Sequence, residues 1–367
     1  MKIEITQKEL QKHINIAQKA ISSRTAIQIL EGILFVAKDN YLKLTSTDLE
    51  LSVETKVPCI VEQEGSIVIN SSMIGNIVRK LPDAPVTINT VGESIQIKCL
   101  QSEFNLIGQD PVDYPHLPDK NEETKLTLKE EVLKDAIKQT VFAASIDETR
   151  PALTGVLFKA AEKSMDFVAL DGFRISLRNI NLDKEYNEIK EIIPARALNE
   201  LQKILDGSED INISFVPGHV IFEVRDTLVY SRLLEGKFIN YSDIISFDYE
   251  TKVVVDKKLL QSSLERASLL ASVEKANLVK LNVTDGNIHI SSNSEIGSVN
   301  ENVICDKTGE DLEIAFNARY ILDGLKIIDS EKCELLFTGS LNPCIIRPID
   351  DDINYTYLVL PVRLARN

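Results

Sequence analysis

A stretch that recurs at a spacing of about 123 residues constrains this chain more than any other feature. Residues 153–176, LTGVLFKAAEKSMDFVALDGFRIS, read as a strand, a short turn, a second strand and an acid-containing bend into a third. Residues 29–52, ILEGILFVAKDNYLKLTSTDLELS, repeat the pattern: Gly32 matches Gly155, Leu34 and Phe35 match Leu157 and Phe158, and Asp48 matches Asp171. Residues 278–299 form a weaker third copy, with Leu281 in the place of Leu157. A period this long is not that of a solenoid. It fits an ordinary domain used three times, so the 367 residues divide into domains at 1–118, 119–245 and 246–367.

Each third opens with a short β-like run and an amphipathic helix. The helices are predicted at 8–21 (Leu10, Ile14, Ala17, Ile21), 129–145 (Leu133, Ile137, Val141) and 256–271 (Leu260, Leu264, Ala267, Ala271). A second helix follows in each third, at 71–81, 195–205 and 317–328, with Ser71 as a candidate N-cap and Pro194 or Asn317 suited to a helix start. Alternating runs at 86–90, 94–100, 211–215, 220–224, 334–337 and 344–347, with turns at Gly92, Gly218 and Gly339, predict strands. The fold class is α+β: three tandem domains, each with two helices packed on antiparallel sheet and about eight strands. Pro-rich residues 110–120 and residues 236–247 mark the joints, with Asp113-Tyr114 and Asn240-Tyr241 as equivalent end-markers.

Charge is unevenly divided. The formal net charge is −15, which by itself argues against phosphate binding. Yet the six predicted helices together carry +7 and the rest of the chain −22. One basic helix face is ordinarily just solvated; the same enrichment on six equivalent helices would give an acidic protein a lining acceptable to phosphates. The five cysteines, an odd number without a CxxC pair, are expected as reduced core thiols. No apolar run reaches about 18 residues, and the start MKIEITQKEL has no apolar signal region, so a cytoplasmic protein without a membrane partner is expected.

The triplication, Thr47-Asp48-Leu49-Glu50, Ala169-Leu170-Asp171-Gly172-Phe173-Arg174 and the ending Tyr357-Leu358-Val359-Leu360-Pro361-Val362-Arg363-Leu364 together resemble the bacterial sliding clamps, the beta subunits of DNA polymerase III. The resemblance spans the whole chain, with Ala365, Arg366 and Asn367 extending past the usual family terminus. It implies a head-to-tail homodimeric ring of six domains, with twelve helices inside and sheet outside. Twelve helices spaced roughly 10 Å apart make a circle about 38 Å across, and subtracting a helix diameter of about 10 Å leaves a hole of about 28 Å, enough for hydrated duplex DNA. Loose, water-mediated phosphate contact would then permit sliding without sequence preference. Lys12, Arg24, Arg79, Lys80, Lys138, Arg196, Lys203, Arg266 and Arg319 are the residues expected to face DNA.

The resemblance also implies a groove for short partner peptides with Leu and Phe anchors. Arg150, Leu153, Leu170, Gly172, Phe173, Arg174 and Ile175 would line one side. Ile239, Asp243 and Ile244 would come from the linker; Leu341, Pro343, Leu358, Leu360, Pro361, Val362 and Arg363 would complete it. Apolar side chains would seat the anchors, with arginines and backbone groups orienting the peptide at the rim. The implied partners are the polymerase alpha subunit, the clamp loader, and repair polymerases, mismatch-repair proteins and ligase carrying the same motif; no cofactor is implied. Ile239 and Asp243 stand where the family often has Pro and Arg, and Pro151 and Ala152 where it can have aromatics that contact single-stranded template. At the dimer joint Phe104 and Leu106 would meet Leu269 and Leu270 of the second subunit. Gln101 and Glu103 are not the basic residues some relatives carry there, which implies apolar burial and weak salt sensitivity.

An enzyme would need a site that these residues do not provide. There is no Gly-rich phosphate loop, HExxH or GxSxG, and His13, His116, His219 and His289 are scattered. Asp48 and Asp171 recur at one structural place, which suits a turn better than catalysis, and Asp350-Asp351-Asp352 suits a solvated loop. A triplicated acidic scaffold that binds peptides without encircling DNA is the alternative reading at this level.

Overall fold

The computed structural model describes residues 1–22, 25–118, 125–272, 276–349 and 354–363. The first third holds β1 (Lys2–Thr6), α1 (Gln7–Ala17), β2 (Gly32–Lys38), β3 (Tyr41–Thr47), β4 (Leu51–Pro58), β5 (Ile60–Gln63), β6 (Gly65–Asn70), α2 (Ser71–Lys80), β7 (Pro85–Val91), β8 (Ser94–Cys99) and β9 (Ser102–Ile107). The middle third holds β10 (Lys125–Lys129), α3 (Glu130–Thr140), β11 (Gly155–Leu170), β12 (Arg174–Pro194), α4 (Ala195–Gln202), β13 (Asp210–Val216), β14 (His219–Val224) and β15 (Thr227–Arg232). The last holds β16 (Thr251–Asp256), α5 (Lys257–Ala271), β17 (Leu278–Thr284), β18 (Asn287–Ser294), β19 (Gly297–Gly309), β20 (Leu312–Asn317), α6 (Ala318–Ile327), β21 (Lys332–Phe337), β22 (Cys344–Pro348) and β23 (Tyr355–Val359).

The helices form where the apolar spacing places them; α5 ends at Ala271 as expected, and the other five end one to five residues earlier than expected. Leu10, Ile14 and Ala17 are buried on α1, and Leu260, Leu264, Ala267 and Ala271 on α5. Ile21 and Val141 lie past the last α-helical turn, because each first helix of the first two thirds tightens into a 3-10 turn. Ser71 is the first residue of α2 rather than its cap. Asn70 caps it, accepting from the Met73 amide at 3.0 Å. Asn317 caps α6 in the same way, accepting from the Arg319 amide at 3.0 Å, and Asp256 caps α5.

The strand pairing corrects one equivalence. β2 pairs with β6 through Gly32 opposite Asn70, and β17 with β20 through Leu278 opposite Asn317. The cap asparagines thus set Phe35, not Leu34, equivalent to Leu281, and Leu157 corresponds to Lys280. Burial agrees: Ile33, Phe35 and Ala37 face the core as Val279, Leu281 and Val283 do. A one-residue slip had put the matched leucines on opposite faces of the sheet. The strand count also differs from eight per third. The middle third has six, because β11 and β12 run through positions where the other thirds break, with the register shifting on both sides of Glu162, whose φ is +54°.

All pairings are antiparallel. One sheet runs β5-β1-β7-β8-β9, a second β10-β13-β14-β15-β4-β3-β2-β6, and a third β11-β12-β23-β22-β21-β16-β19-β18-β17-β20. The middle third therefore shares its strands with both neighbours. Its β15 continues the sheet of the first third and its β12 that of the last. Two compact units result: Met1–Lys134 with Arg196–Leu233, and Asp135–Ala195 with Leu234–Asn367. In the first unit α1 packs beside α2 over β3 and β4; in the second α5 packs beside α6 over β18 and β19. Cys99, Cys305, Cys333 and Cys344 are buried free thiols and Cys59 is half-buried. No helix among the described residues is long and apolar enough to cross a membrane.

Candidate partner groove and nucleic-acid face

The bend at Asp171 organises the second unit. The Asp171 carboxylate accepts from the amides of Phe173 (2.9 Å) and Arg174 (3.1 Å), and Gly172 takes φ +90° between them. The bend at Asp48 is built alike, with the amides of Glu50 and Leu51 donating to its carboxylate and Leu49 at φ +78°. Both acids are thus turn-formers, as their recurrence implies.

Arg174 is not a rim residue. It is 8% exposed, and its guanidinium donates to Asp171 (2.9 Å), Asp323 on α6 (2.7 Å) and the Phe142 carbonyl (3.1 Å). It also lies over the Tyr320 ring. Burial alone would lower its pKa, but Tyr357, Asp323 and Asp171 outweigh that and hold it charged. Asp171, Asp323 and the Phe142 carbonyl thus take three of its five N–H groups and tie the guanidinium into the fold.

A buried apolar cluster is flanked here by exposed apolar side chains. Leu153, Leu170, Ile175 and Leu358 belong to one buried cluster. The cluster also contains Leu157, Val168, Ile192, Phe238, Tyr241, Leu336 and Ile345, which the sequence reading did not select. Above it stand exposed Phe173, Ile239, Ile244, Leu341 and Leu360, with half-buried Pro343, Pro361 and Val362 and exposed Arg150 and Arg363. Phe173 stacks on Tyr320 at 5.8 Å. The tail is pinned: the Leu360 amide donates to the Phe173 carbonyl and the Val362 amide to that of Ala315, both at 2.8 Å. Leu358 lies in β23, a strand flanked on both sides, and the chain leaves the sheet after Val359.

The linker is held by Tyr241, whose hydroxyl donates to Asp166 at 2.5 Å. Tyr114, its counterpart in the first third, donates to the carbonyls of Gly32 and Thr45. Asp243 accepts from Asn240 at 2.6 Å, so the acid at this position ties down the linker. Ala152 packs against the cluster in the place of an aromatic.

The helix cations are mostly paired with acids. Arg196 contacts Asp48 at 2.5 Å, Lys203 contacts Glu200 at 2.6 Å and Lys138 contacts Asp329 at 3.5 Å. Arg266 makes a two-pronged contact with Glu301 at 2.8 and 2.6 Å, and Arg319 lies 4.0 Å from Asp323. Lys12, Arg79 and Lys80 are exposed, and among the described residues no acid is paired with them. Lys134 and Lys257 serve the fold, donating to the Leu205 and Ile328 carbonyls at the ends of the second helices. Arg24 and Asp350-Asp351-Asp352 lie outside the described residues, as do Leu364 and the three residues that follow it. Among the described residues no three His, Cys, Asp or Glu side chains converge as metal ligands.

The joint residues divide by burial. Phe104 on the edge strand β9 is 36% exposed and Leu269 on α5 72% exposed, while Leu106 and Leu270 are half-buried.

Comparison with known proteins agrees along the entire chain. Models of the DNA polymerase III beta subunit match its N-terminal domain at residues 1–118, its central domain at 127–240 and its C-terminal domain at 243–363. The beta sliding clamp of Bacillus subtilis is 38% identical over 99% of this chain and 100% of that protein. The crystal structure of the Bacillus subtilis clamp superposes with a TM-score of 0.96, covering 100% of both chains at 38% identity. That of the Thermotoga maritima beta subunit gives 0.93 at 30% identity, covering 99% of this chain and 100% of that one.

Proposed function

The chain belongs to the DNA polymerase III beta subunits, the bacterial sliding clamps, and from that premise we propose that it closes head-to-tail with a second copy of itself around duplex DNA and recruits partners through the groove. By family it is a non-catalytic processivity subunit of DNA replication, working with DNA and the replicative polymerase.

The observation that carries the dimer is a joint made twice and left open once. The strand leaving the first bend, β4, pairs with β15, with Leu51 opposite Ser231 and Val53 opposite Val229. The strand leaving the second, β12, pairs with β23, with Arg174 opposite Val359 and Ser176 opposite Tyr357. β9 occupies the same hairpin position as β15 and β23: Leu106 faces Ile95 as Ser231 faces Val220 and Val359 faces Cys344. Among the described residues β9 pairs only with β8 and forms a sheet edge. The strand leaving the third bend, β19, pairs with β18 through residues 297–304 and with β16 only from Cys305 onward. A second copy therefore meets the first with Gly297 opposite Leu106 and Val299 opposite Phe104. Phe142 lies nine residues after Leu133 and packs on Tyr357 with ring centroids 5.6 Å apart. Leu269 lies nine after Leu260, and by the same geometry packs on Phe104 of the second copy. Pairing also removes two open edges that would otherwise invite aggregation.

The helix cations supply the water-mediated phosphate contacts, and the floor and rim of the groove accept the Leu and Phe anchors of the polymerase alpha subunit, clamp loader, repair polymerases, mismatch-repair proteins and ligase. The test is retention on nicked circular DNA, loaded with a clamp loader and ATP, before and after the circle is linearised. Loss only on cutting supports topological linkage. Equal retention on both would mean adhesive binding, and the ring reading falls.

A further inference from the structure

We propose that Asp48 and Glu301 are built-in counter-ions that hold Arg196 and Arg266 away from phosphate, so that these arginines touch DNA only by leaving a carboxylate of their own. The inference rests on the reading that the helix cations face DNA. Both arginines project from helices, and both are met by an acid that comes from a strand or bend rather than from the same helix. Asp48 sits at the bend before β4, with its side chain only 6% exposed, while Arg196 at the start of α4 is 52% exposed. Glu301 lies on β19, its side chain 20% exposed against 53% for Arg266 on α5. In each pair the acid is fixed and the arginine reaches out to it. Arg266 meets Glu301 fork to fork, through Nε and Nη2, which is the geometry in which guanidinium binds phosphate. Arg266 also donates to Ser263 at 2.9 Å.

The consequence is an energetic exchange instead of a gain. A free arginine that reaches a phosphate releases a condensed counter-ion, and each such contact steepens the fall of log K with log salt by about 0.9. An arginine that must first leave a carboxylate has already lost most of that advantage. The two forks would then pass from acid to phosphate and back with little net change. This suits a protein that must stay near DNA without gripping it.

The test uses the full-length protein with Asp48→Asn and Glu301→Gln, singly and together. The amide at 48 retains an oxygen for the Glu50 and Leu51 amides, so the bend is preserved. Sedimentation and thermal melting check assembly and folding, and E301Q alone carries the test if the position-48 variant fails. Affinity for short linear duplex is measured from about 50 to about 200 mM salt, and one-dimensional diffusion is followed on tethered DNA. Two newly engaged arginines add about 1.8 to the salt slope, so the double variant should lose about 12-fold more affinity than the parent across that range. It should bind more tightly at the low end and diffuse several-fold more slowly, and adding R196Q and R266Q should return it to parental behaviour. A gain that survives removal of both arginines would reflect overall charge and overturn the proposal. No change, while Lys12→Gln, Arg79→Gln and Lys80→Gln weaken binding, would also overturn it but leave the helix face as the DNA surface. If no variant alters binding, the DNA-facing reading itself falls, and the proposal with it.

Discussion

Replacing Arg174 with methionine separates a structural fork from a peptide-binding one. Its hydrogen bonds to Asp171, Asp323 and Phe142 span 2.7–3.1 Å. A hydrogen bond to a charged group contributes about 1.5–3 kcal/mol, but three bonds from one side chain do not add. Breaking a buried ion pair costs about 3–5 kcal/mol, chiefly through the charge left behind. The carboxylates left by Arg174 keep 14% and 25% of their side-chain exposure and can regain water, so about 3 kcal/mol, at the low end, is expected. A chain of three domains does not unfold as two states, so the measurement is local: amide exchange in β12 and β23. A loss of about 3 kcal/mol lowers protection there by roughly two orders of magnitude. Peptide affinity should fall with it, because the same bend carries Phe173. Protection within about fivefold of the parent would refute the assignment of Arg174 as the clasp of this joint. Lost affinity with unchanged protection would instead mean that the guanidinium reaches the peptide.

Three further outcomes follow from the geometry. His13 is buried beside Thr55 (2.7 Å), which in turn contacts Thr227 (2.8 Å), and burial together with Lys12 lowers its pKa below 6.5 against the opposing pull of Glu9 and Asp226. The unfolded chain therefore binds the extra proton first, and the joint should weaken as pH falls below about 6.5; a melting-temperature drop from pH 7.5 to 5.5 that is no smaller in His13→Gln would sink this. Phe104→Cys with Val299→Cys should give an inter-subunit disulfide on a non-reducing gel, since directly opposed residues lie about 4.5–5.5 Å apart. Phe104→Cys with Asn300→Cys should give far less, and the reverse result would mean a different register. Removing residues 360–367 should abolish partner-peptide binding, read by fluorescence anisotropy, while the sedimenting dimer persists, and unchanged affinity would contradict the groove assignment.

What the sequence reveals depends on how strongly a residue's chemistry is tied to its place. Leu10, Ile14 and Leu260 announce their helices because one face must be buried, and Asp48 and Asp171 announce their bends because an acid before two free amides is a turn. The strands β9 and β15 are not anticipated. TLVYSR and SEFNLI carry little alternation: β15 pairs with β4 of the first third, and β9 is an edge strand with mostly exposed residues. The contacts of Arg174 are only partly local: Asp171 lies three residues away, but its other two acceptors lie 32 and 149 residues away. Tyr241 and Phe238, which bury the linker in the apolar cluster, are detectable only as a repeat marker and as an apolar residue in a linker.

The three joints keep one backbone and vary the chemistry that locks it. At the first, the bend acid Asp48 takes its cation, Arg196, from the next domain. At the second, Asp171 takes Arg174 from its own strand, and that arginine reaches across to Asp323. At the third the acid is replaced by Ser294 and the residue after the bend by Gly297, so neither lock can form. What remains is apolar: Ile296, 70% exposed, stands where Phe173 does, and Met73, 51% exposed, stands on α2 where Tyr320 does on α6. The first two joints lie within one covalent chain and need only hold their angle. On the ring reading the third forms between molecules and must also open to admit DNA. On that reading Ile296 would meet Met73 of the second copy, and the joint would be held by backbone pairing and apolar burial, which salt screens little. Reversible closure would then be set by contact area rather than by a buried charge stranded each time the ring parts.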